Sequence, residues 1–258
     1  MHMQNMNTYS ITRESLTIGI PVRIDSEERK ANLQTVIRYL KALQCHIIVL
    51  EADVQSQIND ICNMDMVEYQ FVKDTNNVFH RTHYINKLLK CAQTEVVAIW
   101  DTDILVKYSQ IFEALQMVLN GATISYPYDG RFVMLSEQLS EQTRKKTDLE
   151  YLYGLKMQSF LGRKLCGGAY LVHKQRYLQC GGENEHFTGW GPEDAERMHR
   201  VAILGHKVHH IPHGELFHLY HPRRANSGYQ SKDDARYLRE EFIKVCCMQP
   251  EELKSYIR

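Results

Sequence analysis

The stretch "EVVAIWDTDILV", residues 95–106, decides how the fold is read. Its apolar run, Val96 to Trp100, leaves no polar face, as in a parallel strand covered on both sides. Two carboxylates follow one residue apart, Asp101 and Asp103. Ionised carboxylates are costly to bury without partners, and two of the same sign side by side raise that cost. In an extended strand residues i and i+2 point the same way, so both acids can converge on one cation. Hard divalent ions such as Mn²⁺ or Mg²⁺ favour oxygen ligands and share them with substrate phosphates. Alone, D-x-D is a weak signal, because a solvated strand-end turn has the same spelling.

The flanking chain alternates in type. "SLTIGIPVRI" (15–24) reads as a strand, and Asp25 with Glu28 reads as the start of a helix that buries Leu33, Val36, Ile37 and Leu40. Further strands are expected at 45–52, 66–72, 95–101 and 122–127, with helices at 81–92 and 109–120. This alternation predicts an α/β chain with an open, doubly wound, mostly parallel sheet. Ligands on such sheets lie beyond the carboxyl ends of the strands, where Asp101 and Asp103 fall. The second half is less regular. A charged helical stretch (136–157) leads to a strand opened by two glycines (166–174), and a last helix runs from Ser231 to about Cys247 with Leu238, Phe242 and Val245 buried. No repeat or linker is evident. One unit over 1–258 is expected, with a nucleotide-binding half near 15–127, a catalytic and acceptor half near 128–222, and a helical segment at 223–258.

The 258 residues include 31 basic and 31 acidic side chains, so no global field draws the chain to nucleic acid or an anionic membrane. Apolar runs reach about five residues, far short of the roughly 20 that span a bilayer, so membrane contact, if any, is expected to be peripheral. The polar start "MHMQNMNTYS" lacks the layout of a signal peptide. Seven cysteines without a C-x-x-C read as free thiols of a reducing compartment, and the expected setting is cytoplasmic.

Two more constellations point to chemistry. "GWGPEDAE" (189–196) sets Trp190 between glycines, then Pro192 at a helix start with Glu193 and Asp194 in its first turn. Proline and acids there are ordinary helix-start chemistry, and Glu193–Arg197 and Glu196–Arg200 are ordinary i,i+4 pairs. A tryptophan between two glycines is not explained that way; a carboxylate beside an aromatic platform suits a sugar. "ELFHLYHPRR" (215–224) carries His218 and His221, imidazoles able to join a Mn²⁺ site, followed by arginines suited to phosphate. A zinc site in "HKVHHIPH" (206–213) competes with solvated strand-end histidines, the preferred reading.

With D-x-D after a buried strand and G-W-G-x-E-D-x-E downstream, the chain resembles the GT-A glycosyltransferases. It looks most like the inverting β1,4-galactosyltransferases and bacterial chondroitin-polymerase-like domains. The likeness covers most of 16–222 and includes "IPVR" (20–23), "FHRTHYIN" (79–86) and "CGGAYLVHKQRYLQCGGENEHFTGWGPED" (166–194). It implies that Pro21, Arg23, Phe79 and Arg81 hold uridine and diphosphate, and that Asp101 and Asp103 hold nucleotide and Mn²⁺ (Mg²⁺ as the alternative). His221 would be the later metal ligand, because "HLYH" resembles the family's Met-x-x-His; His218 stands at the methionine position, leaving open which imidazole binds. Glu193 would fix sugar hydroxyls, Trp190 and Gly191 would line the acceptor site, and Asp194 would be the catalytic base. Pro192 replaces a glycine common in the family. The animal enzymes' N-terminal anchor is absent, so a Golgi setting is not expected.

The implied activity moves a hexosyl group, galactose or N-acetylgalactosamine, from a UDP-sugar to a glycan or oligosaccharide hydroxyl. Retaining relatives with the G-W-G-x-E motif often carry Asn where Asp194 stands, and Asn cannot accept a proton; inversion is therefore expected. Asp129 in "YPYDGRF" and the 136–157 stretch are expected to border the acceptor groove. The alternatives are a retaining GT-A enzyme, a D-x-D phosphatase of the haloacid dehalogenase type, and a non-catalytic UDP-sugar-binding module. The phosphatase also needs a later lysine and a second acidic pair. A sugar nucleotidyltransferase would need a glycine-rich N-terminal loop that "IGIPVRID" does not supply.

Overall fold

The computed structural model describes residues 14–257; the polar start at 1–10 lies outside them. Apart from a one-turn helix at 59–62, which the sequence reading lacks, the first half alternates as the sequence predicts: β1 (Leu16–Val22), α1 (Glu27–Leu40), β2 (His46–Asp53), α2 (Asn59–Cys62), β3 (Val67–Lys73), α3 (Arg81–Cys91) and β4 (Val96–Trp100). The chain continues through β5 (Ile104–Leu105), α4 (Tyr108–Leu119), β6 (Ile124–Tyr126), β7 (Phe132–Met134), α5 (Glu137–Lys145), α6 (Leu149–Gly154), β8 (Ala169–His173) and α7 (Lys174–Gln179). It ends with α8 (Glu193–Ile203), β9 (Val208–His210), β10 (Leu216–His218), α9 (Lys232–Cys247) and α10 (Pro250–Tyr256).

A seven-stranded sheet has the order β3-β2-β1-β4-β8-β6-β9. The centre falls to β1 and β4, buried at every position, because only strands without a polar face tolerate cover on both sides. Strands β3, β2, β1 and β4 run parallel, whereas β8 is antiparallel to both β4 and β6. That reversal positions the site: with Trp100 opposite Ala169, the start of β8 lies beside the carboxyl end of β4. A small second sheet, β5-β10-β7, sits where the chain leaves β4. One apolar core runs from Leu16 to Leu219 and takes side chains from both halves.

Several local expectations need correction. Ser26, not Asp25, caps α1: its hydroxyl accepts from Arg29 N at 3.2 Å, while Asp25 accepts from Arg29 Nε at 2.8 Å. The 136–157 stretch splits into α5 and α6 because Asp148 stops being helical and caps the second piece, accepting from Tyr151 N. On α9 the buried positions are Leu238, Glu241 and Val245; Phe242 is half-buried, edge-on to His199. Arg197 pairs with Glu183 and Asp194 rather than with Glu193, whereas Glu196–Arg200 forms as expected.

Candidate active site

Asp101 and Asp103 do not extend a strand. β4 ends at Trp100 and the next residues turn. Three bonds clamp that turn: Trp100 Nε1 donates to Ile104 O at 3.0 Å, Asp101 N to Gly168 O at 2.8 Å, and Leu219 N to Asp103 O at 2.8 Å. The turn separates the two acids. Asp101 Oδ1 accepts from Arg81 Nη2 at 2.6 Å, whereas Asp103 faces the histidines.

The small sheet assembles that second group. Antiparallel pairing sets His218 opposite Ile104, next to Asp103, and the chain beyond β10 returns His221 to the same place. His218 Nε2 lies 3.5 Å from Asp103 Oδ1, and His221 Nε2 lies 3.3 Å from Asp103 Oδ2. Candidate ligand atoms of the three residues lie within 4.8 Å of one another, the only such group among the described residues. Asp103 Oδ1 and His218 Nδ1 are buried without a hydrogen-bond partner, a cost that a bound cation would remove. A carboxylate oxygen with imidazole nitrogens fits Mn²⁺. Burial by itself would raise the Asp103 carboxyl; His218, the His221 hydrogen bond and Arg29 outweigh it and hold Asp103 well below the usual range. Burial pushes the His218 imidazole down, towards the neutral form that ligates a metal. The histidines at 206–213 form no such group: His206 meets Thr123, His210 stacks on Tyr126, and His213 pairs with Glu113.

A cavity of about 540 Å³ opens at the carboxyl ends of β1 and β4. Pro21, Arg23, Phe79, Arg81, Asp101, Asp103, Trp190, Gly191, Glu193, Asp194, His218 and His221 all line it, so sequence-distant candidates share one space. Arg23 is already engaged, donating to Ala52 O, Asn76 O and Asp74, with its guanidinium 5.4 Å from the Phe79 ring. It therefore braces the wall that Phe79 presents. Arg81 Nη1 has no hydrogen-bond partner and lies 3.9 Å from Asp194 Oδ1. Burial pushes the Asp101 carboxyl up, and the nearby Asp103 and Asp194 charges add to it, against the pull of Arg81.

α8 brings in the second acidic pair. Arg197, fully buried, grips Glu183 through Nε and Nη2 and donates from Nη1 to Asp194 Oδ1 at 2.9 Å. Asp194 Oδ2 turns the other way, towards Gly167, where a Cβ would come within 2.5 Å of it. Glycine at 167 is thus required by the carboxylate rather than by the turn. Glu193 is 6 % exposed and its Oε2 has no partner; burial first, then Asp194, push its carboxyl up to about 8. Trp190 is 43 % exposed and meets Tyr229 edge-on at 4.9 Å.

Asp129 does not line this cavity. It pairs with Arg131, which also reaches Glu215, because the Asp129–Gly130–Arg131 turn folds the arginine back over the acid. The 136–157 stretch is absent from the lining as well; the wall passes from Met134 to Phe160. Missed in the sequence were Arg29, 3.2 Å from His221 Nδ1, and Arg163; Arg223, one of the arginines read as suited to phosphate, lines the cavity too. An arginine one turn past Asp25 on the helix leaving the "IPVR" strand was the available signal for Arg29.

Residues 156–222 match the family model described as the N-terminal domain of galactosyltransferase. That segment carries β8, the start of α8, and both histidines. No curated protein sequence gives a significant match. Among solved structures, the catalytic domain of Drosophila β1,4-galactosyltransferase 7 in complex with xylobiose is 18 % identical, with TM-score 0.50, covering 93 % of this chain and 83 % of that one. A mutant of the same Drosophila enzyme with manganese, UDP-Gal and xylobiose is 16 % identical, with TM-score 0.51 and coverage of 85 % and 78 %. GalNAc-T7 with UDP, GalNAc and Mn²⁺ is 10 % identical, with TM-score 0.60, covering 94 % of this chain and 49 % of that one. The chain has the GT-A glycosyltransferase fold and resembles the galactosyltransferases.

Proposed function

We propose that the protein is a metal-dependent, inverting glycosyltransferase. It would move galactose or N-acetylgalactosamine from a UDP-sugar to a hydroxyl of a glycan acceptor. One observation carries this reading: the Asp103–His218–His221 group and the Asp194 carboxylate line the same cavity. The complexes of UDP-Gal or UDP with manganese among structures of this fold support the donor and the ion.

Asp103, His218 and His221 would hold the ion, and Asp101 would help hold the nucleotide. When bound, a divalent cation there supplies Lewis-acid stabilisation of the charge that grows on a departing diphosphate. Pro21 and Phe79 would bound the uridine, Arg23 bracing Phe79, while Arg81 offers its unpartnered Nη1 to donor oxygens. Trp190 and Gly191 would carry the acceptor ring. Glu193, with a carboxyl neutral up to about pH 8, would donate to a sugar hydroxyl as well as accept from one. Asp194 Oδ1 is occupied by Arg197, which leaves Oδ2 as the proton acceptor. The acceptor oxygen would bond to the anomeric carbon as its proton passes to Oδ2. The bond from that carbon to the β-phosphate oxygen breaks on the opposite face, and its electron pair leaves with UDP. One such displacement inverts the centre.

A carboxylate rather than an amide at 194 favours inversion over retention. The phosphatase alternative lacks support, since no lysine among the described residues lines the cavity. A panel of UDP-sugars with Mn²⁺, scored for donor hydrolysis and then for transfer, tests the proposal. NMR of the product should show a β linkage from an α-linked donor. An α linkage would remove the assignment of Asp194, and UDP binding without turnover across a broad acceptor panel would favour a binding module.

A further inference from the structure

Between α6 and β8 the chain runs from 155 to 168 without helix or strand, a length at which connections usually have a task of their own. Its first part, "LKMQSFLGRK" (155–164), contains no acid and carries Lys156, Arg163 and Lys164, all exposed, in a chain of zero net charge. Leu155, Phe160 and Leu161 are 39 %, 51 % and 39 % exposed. Phe160 N donates to Phe132 O at 2.6 Å and Leu165 N to Gly130 O at 2.9 Å, so the exposed residues 161–164 sit between two backbone anchors. Arg223 and Arg224 are exposed too, and the Arg223 guanidinium lies 5.9 Å from the Phe160 ring. None of these five cations pairs with a carboxylate among the described residues.

We propose that this loop, with Arg223 and Arg224, docks the protein on an anionic lipid surface. Scattered exposed apolar residues are normal, but large ones interleaved with unpaired cations match the pattern of interfacial membrane contact. Lysine and arginine stems lie along an apolar boundary while their charges reach headgroup phosphates. Leu155 and Leu161 select the bilayer over a soluble anionic glycan: they offer a sugar neither a flat face nor a hydrogen bond, yet bury readily among acyl chains. No helix among the described residues is long and apolar enough to cross a membrane, and the proposed docking calls for none. Phe160, Leu161 and Arg163 also line the cavity, so docking sets its mouth at the lipid surface. On the glycosyl-transfer reading, the acceptor would then be presented there; the docking itself does not depend on that reading.

Co-sedimentation of the full chain with vesicles is the test. Vesicles of phosphatidylcholine with phosphatidylglycerol should bind the protein and those of phosphatidylcholine alone should not, with binding weakened as salt rises. The triple variant Lys156→Gln/Arg163→Gln/Lys164→Gln should lose on the order of 100-fold in affinity, given the usual worth of a basic residue at such a surface. Leu155→Ser/Leu161→Ser should weaken binding in a chain that still unfolds cooperatively in a thermal scan, since neither side chain is part of the buried core. The proposal is overturned if neither vesicle binds the wild type or if the charge variant binds as well. It is also overturned if soluble heparin competes fully while the leucine variant binds vesicles normally, which would make the surface an anionic-glycan site.

Discussion

At Asp194 the two carboxylate oxygens have different fates: Oδ1 is tied to Arg197, and Oδ2 faces Gly167. Asp194→Asn should lower turnover by about 10² to 10⁴, the usual worth of a general base, with UDP affinity by calorimetry nearly unchanged. Gly167→Ala should reduce turnover too, because its Cβ would stand 2.5 Å from Oδ2; steady-state kinetics on a folded variant checks this. Glu193 gives a pH prediction. Its carboxyl is raised from 4.5 to about 8 in the folded chain, so the native state keeps a proton that the unfolded state has lost. Stability from this group is therefore full below about 4.5 and declines as pH rises to about 8. Glu193→Gln lacks that decline, so its melting temperature should gain on the wild type between pH 5 and 9.

At the scale of elements, α8 is fastened by a buried pair. Glu183 accepts from Arg197, Tyr170 and Tyr177; burial would raise its carboxyl, but these partners bring it down to about 2. Removing Arg197 leaves that charge uncompensated, and breaking such a pair costs about 3–5 kcal/mol. Arg197→Met should thus melt roughly 6–20 °C lower in a thermal scan, at about 2–4 °C per kcal/mol for a chain of this size. Because the folded pKa lies below the unfolded one, the Glu183 contribution is full above about 4.5 and is lost as pH falls towards 2. Glu183→Gln should flatten that part of the acid-denaturation curve. The α8 pairing was only half legible in the sequence: i,i+4 spacing found Glu196–Arg200, but Glu183 reaches Arg197 across the fold.

At the scale of the molecule, the cavity unites the end of β1, the start of α3, the turn after β4, the start of α8 and the end of β10. Ligands that bind only this assembled state should stabilise it. Mn²⁺ with UDP at about 100 times its Kd adds about 2.7 kcal/mol, a rise of roughly 5–11 °C in melting temperature. A chelator, or Asp103→Ala with His221→Ala, should abolish the manganese-dependent part of that rise.

The sequence by itself determined the central sheet and the start of α8. Unbroken apolar runs such as Val96–Trp100 can satisfy their surroundings only in a sheet interior, and acids after Pro192 suit only a helix start. Of the site residues it named, all but Asp129 line the cavity. What the tertiary structure decided was how the acids divide. Asp101 turns to Arg81 and Asp103 to the two histidines, while Asp194 is tied to an arginine that Glu183 holds. Local spacing could have fixed only Asp194–Arg197, three residues apart on α8; Asp101–Arg81, Asp103 with the histidines and Glu183–Arg197 join segments that only the fold brings together. For Asp101, Asp103 and Glu183 the counter-charge is the one that packing delivers, not the one nearest in the chain.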